Sequence, residues 1–145
     1  MTNKVFLALC LFAFISCEAQ VFEVDTEVNG GNVFTIKKGL QFKLKLAGNP
    51  TTGYSWFLLN LKNLIESGYV LNIDTNDDGS AGGYVQRNEV DENGNIIEGL
   101  GGDYYFTFEA AAKTSEPVNF LFSYQKPWES TNDTANLVKV QITVK

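Results

Sequence analysis

The sequence predicts an all-β domain, an antiparallel sandwich of about seven strands. Three observations predict it: apolar residues alternate with period two over short runs, turn residues separate the runs, and no long stretch repeats every 3.6 residues. At 145 residues the chain is one domain, large enough to bury a core of its own.

Residues 1–19 stand apart from that pattern. Lys4 precedes an apolar run from Val5 to Ile15, followed by Ser16, Cys17, Glu18 and Ala19. This is the pattern of a secretory signal peptide, and the run is too short to span a bilayer. The expected mature domain is therefore residues 20–145, secreted or held within the endolysosomal or secretory pathway. Phe14-Ile15-Ser16-Cys17 also loosely resembles the box before a lipidated cysteine, which makes a lipid-anchored periplasmic form the alternative. Both cysteines, Cys10 and Cys17, lie in this segment, so the mature domain must stand on packing without disulfides. Cleavage removes one base, Lys4, and one acid, Glu18, and leaves the net charge at −6. An acidic domain disfavours nucleic acid and anionic membrane partners.

Val21–Val28 and Val33–Ile36 supply the opening edge of the sandwich. Phe42, Leu44 and Leu46 alternate with Gln41, Lys43 and Lys45, as a half-buried strand requires. Tyr54–Leu59 is a near-continuous apolar run and reads as a central strand covered on both sides. Within 58–67, Leu61, Leu64 and Ile65 are spaced for a turn or two of helix. Residues 72–100 are rich in Asn, Asp and Gly and read as a long, partly hairpin-like excursion. Tyr104, Phe106 and Phe108 then share one face, with Tyr105 on the other. Val118, Phe120, Phe122 and Tyr124 form the next strand, and Val138, Val140, Ile142 and Val144 the last. Lettered A to G as in an immunoglobulin-like sandwich, these strands leave three conspicuous connections, B–C, D–E and F–G, able to gather at one end.

The first connection carries Asn49-Pro50-Thr51-Thr52-Gly53-Tyr54. Pro50 fixes its own φ and drives Asn49 extended, while Gly53 permits a left-handed backbone, so the loop is preformed with two hydroxyls at its tip. The second is Gly99-Leu100-Gly101-Gly102 and the third Lys126-Pro127-Trp128. Each alone reads as an ordinary turn or a core aromatic at a strand end. Yet both tryptophans, Trp56 and Trp128, and two of the three prolines, Pro50 and Pro127, lie in or beside them.

Together, NPTTGY, GLGG and KPW resemble the three loops of the chagasin-type inhibitors of papain-family cysteine peptidases, in the same order. Lys126 stands where that family usually has Arg. The resemblance implies a tight, reversible, competitive inhibitor, a monomer binding its peptidase one to one with no cofactor. It puts Thr51 and Thr52 at the catalytic cysteine and Trp128 on the primed side of the cleft. Tyr54 and Trp56 would root the first loop, with Trp56 the more buried. In the second loop the missing side chains would let backbone groups pair with the substrate groove.

Other functions meet obstacles in the same residues. A mature chain without His or Cys has no Ser-His or Cys-His pair, and Asp74, Asp77, Asp78, Glu89 and Asp91 show no visible pairing for carboxylate catalysis. Asp74, Asn76, Asp78 and Gly79 match positions 1, 3, 5 and 6 of a calcium loop, but Val85 stands where the bidentate Glu is needed. A secreted adhesion or carbohydrate-binding module of the same fold, with or without calcium in the 74–79 loop, is the alternative. Asn132-Asp133-Thr134 is a glycosylation sequon close to Trp128.

Overall fold

The computed structural model describes residues 18–27, 31–129 and 137–145. In chain order the strands are β1 (Gln20–Glu23), β2 (Asn32–Ile36), β3 (Gln41–Gly48) and β4 (Ser55–Leu58). A short helix α1 (Leu61–Glu66) leads to β5 (Val70–Asn72), β6 (Gly83–Gln86), β7 (Gly102–Ala110), β8 (Val118–Gln125) and β9 (Leu137–Val144). Cys10, Cys17, the leader pattern up to residue 17 and the sequon at Asn132 lie outside the described residues.

The strands form two sheets. One runs β1-β3-β7-β5 with β6 also on β7, and the other runs β2-β9-β8-β4. Between them lie Phe42, Phe106, Phe108, Phe120 and Phe122, all fully buried, with the alternating aliphatic residues of β3 and β9. Phe108 and Phe120 meet edge-on across the sandwich at 5.2 Å between centroids, and Phe106 meets Phe122 at 4.8 Å. Removing one such ring costs about 3–5 kcal/mol, and packing of this kind is what holds the described residues, which include no cysteine. Phe22 of β1 stacks on Phe34 of β2 at 4.6 Å and closes the side of the sandwich.

The period-two expectation holds along β3, β7, β8 and β9, whose alternate residues face inward as read from the sequence. Three details differ. The described residues contain nine strands, because β1 and β2 sit on different sheets, β5 leads into the excursion and β6 lies within it. The ladders β1–β3 and β2–β9 are parallel, while the other pairings are antiparallel. The Tyr54–Leu59 run is an edge strand, not a central one. Its buried residues are covered because Leu58 N–H donates to the Gly79 carbonyl at 2.8 Å and Phe57 bridges Ser80, so the excursion seals the free edge. In α1, Leu61 and Leu64 are buried and Ile65 is exposed.

Candidate functional site

Strand register alone brings the three connections together. β3 ends at Gly48, whose partner across the ladder is Gly102, the residue that closes the GLGG stretch. β4 begins at Ser55, whose partner is Gln125, the residue before Lys126. The first loop thus crosses from one sheet to the other at the one end of the sandwich where the second loop enters and the third loop leaves.

Local chemistry then fixes the first loop. Asn49 is extended at φ −135° and ψ 101°, as its place before proline requires, and its side-chain oxygen caps the Pro50–Thr52 3-10 turn by accepting from Thr51 N–H at 3.1 Å. Gly53 ends the turn at φ 82°, in the left-handed region. Both threonines are exposed, yet their hydroxyls point back: Thr51 donates to the Asn49 side chain at 2.6 Å and Thr52 to the Asn49 carbonyl at 2.7 Å. The hydroxyls read from the sequence as tip groups therefore brace the loop.

An aromatic pillar supports it from below. Trp56, 4% exposed, donates from its indole to the Ala47 carbonyl at 2.9 Å and packs on Tyr124 at 4.8 Å. Tyr54 is half-buried against the same ring at 5.5 Å. The Tyr124 hydroxyl accepts from Asn49 N–H at 2.8 Å and donates to the Asn49 carbonyl at 3.2 Å, tying the loop's first residue to β8. Tyr104 reaches the Tyr54 carbonyl at 3.5 Å, and burial raises its phenol above the ordinary range. Tyr104 and Tyr124 read from the sequence only as inward-facing strand residues. Their polar ends are what hold the site.

The second and third loops close on the first from opposite sides. Asn49 donates from its side chain to the Gly99 carbonyl at 3.3 Å. Gly101, at φ 72°, lies so close that a Cβ there would come 2.5 Å from the Gly48 carbonyl oxygen. Gly101 and Gly102 are buried, Leu100 is half-buried and Gly99 exposed, so the latter half of GLGG serves close packing and Gly99-Leu100 is what reaches the surface. On the other side Lys126 places its Nζ 5.4 Å from the Tyr54 ring and 5.9 Å from the Trp128 ring. Trp128 is 74% exposed, which excludes the reading of it as a core aromatic.

Residues 35–144 of the chain match the family model described as chagasin family peptidase inhibitor I42. The chain belongs to the chagasin family of peptidase inhibitors. It is 31% identical over 121 residues to Amoebiasin-1 of Entamoeba histolytica, covering 81% of this chain and 96% of that protein. The solution structure of amebosin has the same fold, with a TM-score of 0.53, 22% identity, and coverage of 88% of this chain and 99% of that one. A crystal structure of the cysteine protease inhibitor EhICP2 from Entamoeba histolytica also matches, at 12% identity and a TM-score of 0.46, over 88% of this chain and 95% of that one. The chagasin family is one of inhibitors and not of enzymes.

Around this chagasin-family rim, ion pairs hold the second loop from the outer face. Arg87 N–H donates to the Gly101 carbonyl at 3.0 Å, and its guanidinium meets Asp103 at 2.7 Å. Lys45 lies 2.9 Å from Glu23 and 3.9 Å from Asp103. The hydrogen bond to Glu23 raises the Lys45 pKa, and that to Asp103 raises the Arg87 pKa. Two carboxylates of the 74–79 loop take hydrogen bonds from within the chain. Asp74 accepts from Thr107 N–H and hydroxyl, both at 2.9 Å, and Asp78 accepts from Ser80 N–H at 2.9 Å and hydroxyl at 2.6 Å. No group of three His, Cys, Asp or Glu side chains among the described residues is arranged to hold a metal. Among them no helix is long and apolar enough to cross a membrane.

Proposed function

We propose that this protein is a tight, reversible, competitive inhibitor of papain-family cysteine peptidases, binding one to one as a monomer with the three-loop rim in the active-site cleft. The observation that carries this is the rim itself, a preorganised first loop flanked by Gly99-Leu100 and by an exposed Trp128. Asn49, Pro50, Thr51, Thr52, Gly53 and Tyr54 form the central wedge at the catalytic cysteine. Gly99, Leu100, Gly101 and Gly102 form or support the edge along the substrate groove, and Lys126, Pro127 and Trp128 the primed-side edge. A braced turn offers the nucleophile no extended scissile bond, and loops ordered before binding lose little entropy in the complex. Relatedness supports the reading too, since family members inhibit peptidases. Export through cleavage after Ala19, or anchoring at Cys17, would place the inhibitor where such peptidases act, and a glycan at Asn132 would narrow the enzymes accepted.

The test is inhibition of papain by purified protein, with a Thr51→Ala, Thr52→Ala double variant beside it. Nanomolar, reversible inhibition that substrate competes away and the double variant weakens is the expected result. A folded protein without effect at micromolar concentration would overturn the proposal and leave the rim to a different ligand.

A further inference from the structure

The excursion between β6 and β7 has a part that fold and rim leave unexplained. β6 runs antiparallel to β7 with Gln86 opposite Gly102, so the chain leaves the sheet at the rim and comes back at Gly101. Between those points it forms its own hairpin. Val90 and Ile96 pair as an antiparallel bridge, Ile97 N–H donates to the Glu89 carbonyl at 2.8 Å, and Asp91 N–H donates to the Asn95 carbonyl at 2.9 Å. At the turn the Asp91 carboxylate accepts from Asn93 N–H at 2.8 Å and from Asn95 N–H at 2.9 Å, and these bonds hold its pKa below the usual carboxylate range.

We propose that Glu89–Ile97 is a fourth peptidase contact, a preformed finger that extends the second loop and lays Val90 and Ile96 on the enzyme surface beside the cleft, opposite the side taken by Trp128. This rests on the rim being the peptidase-binding end. Val90 is 63% and Ile96 67% exposed, and residues directly opposite each other in a hairpin share one face, so they form a single apolar patch. The finger continues without a break into Gly99, whose carbonyl is held by the Asn49 side chain, so its base is fixed to the central wedge. Its charge defines the partner further. Residues 88–101 contain Glu89, Asp91, Glu92 and Glu98 and no base, and the charge of Arg87 is taken by Asp103. The surface it fits is apolar at its centre and bordered by Lys or Arg, which makes the finger a selectivity element among papain-like enzymes.

The experiment compares wild type, a Val90→Ser, Ile96→Ser variant and the Thr51→Ala, Thr52→Ala variant as inhibitors of papain and of cathepsin L, with melting midpoints for each. Both finger positions are exposed, so the midpoint is expected to stay where it is. The expected result is inhibition about tenfold weaker for at least one enzyme, in the dissociation rate. Inhibition constants within twofold of wild type for both enzymes would overturn the finger and leave the rim standing. A wild type that inhibits neither enzyme would overturn the rim and the finger together. Deuterium uptake by residues 88–98 gives a reading independent of substitution: protection on binding papain supports the contact, and unchanged uptake overturns it.

Discussion

Trp128→Ala separates binding from folding more cleanly than any other single change. A tryptophan presents roughly 250 Å², and with 74% of Trp128 exposed about 180 Å² is free for a partner. Covering half of that at ~25 cal/mol per Å² is worth about 2 kcal/mol, close to what a central tryptophan anchor contributes at an interface. Inhibition should therefore weaken about 30-fold. Among the described residues the ring meets the Lys126 ammonium, and an exposed cation–π contact is worth about 0.5–1 kcal/mol. The melting midpoint should move by no more than a few degrees. The assay is the inhibition constant for papain by progress-curve analysis, with a thermal melt on the same preparation. A change in inhibition below threefold would show that Trp128 is peripheral, and a large drop in midpoint would show that it supports the fold.

Other perturbations test the scaffold beneath the rim. Tyr124→Phe strands the Asn49 N–H, so stability should fall by about 1–2 kcal/mol and inhibition by several-fold, with wild-type values refuting the tether between β8 and the first loop. Gly101→Ala adds left-handed strain to a 2.5 Å approach on the Gly48 carbonyl, together about 2–4 kcal/mol and a midpoint lower by roughly 5–10 °C. An unchanged melt would contradict that packing. The pH profile follows from Asp78 and Asp91, both held below the ordinary carboxylate range, Asp78 chiefly by Ser80 and Asp91 by Asn95. A depressed carboxylate stabilises fully above its unfolded pKa, near 4, and loses that contribution as pH falls through the folded value. With no histidine in the chain, stability should stay level from about pH 7.5 to 5 and decline below about 4. A midpoint that drops between pH 7 and 5 would refute this.

Most of the fold was legible because β3, β7, β8 and β9 each turn alternate residues into the core, and period two reports that face directly. The Tyr54–Leu59 run misled for a physical reason. A sequence shows that Trp56, Phe57 and Leu58 are all apolar but not that Gly79 and Ser80, far along the chain, come back to cover an edge. The parallel ladders of β1 and β2 were invisible in the same way, since alternation carries no information on direction. At the site, Pro50 and Gly53 announced their backbone conformations, and the structure has both. The tether from Tyr124 to Asn49 was not legible, because a tyrosine on a core-facing position looks the same whether or not its hydroxyl meets a partner. Gly101 and Gly102 read as open backbone for a partner, whereas their contacts are with Gly48, Tyr84 and Val85 of the same chain.

The central claim is that the rim occupies the peptidase cleft, and calorimetric titration of the protein into two forms of papain tests it most directly. One form has its cleft open, with the catalytic cysteine blocked only by a small thiol-directed group, and the other has the cleft filled by a covalent peptidyl epoxide. One-to-one binding to the open form and no measurable binding to the filled one are expected. Equal affinity for both would place the contact elsewhere on the enzyme and contradict the wedge.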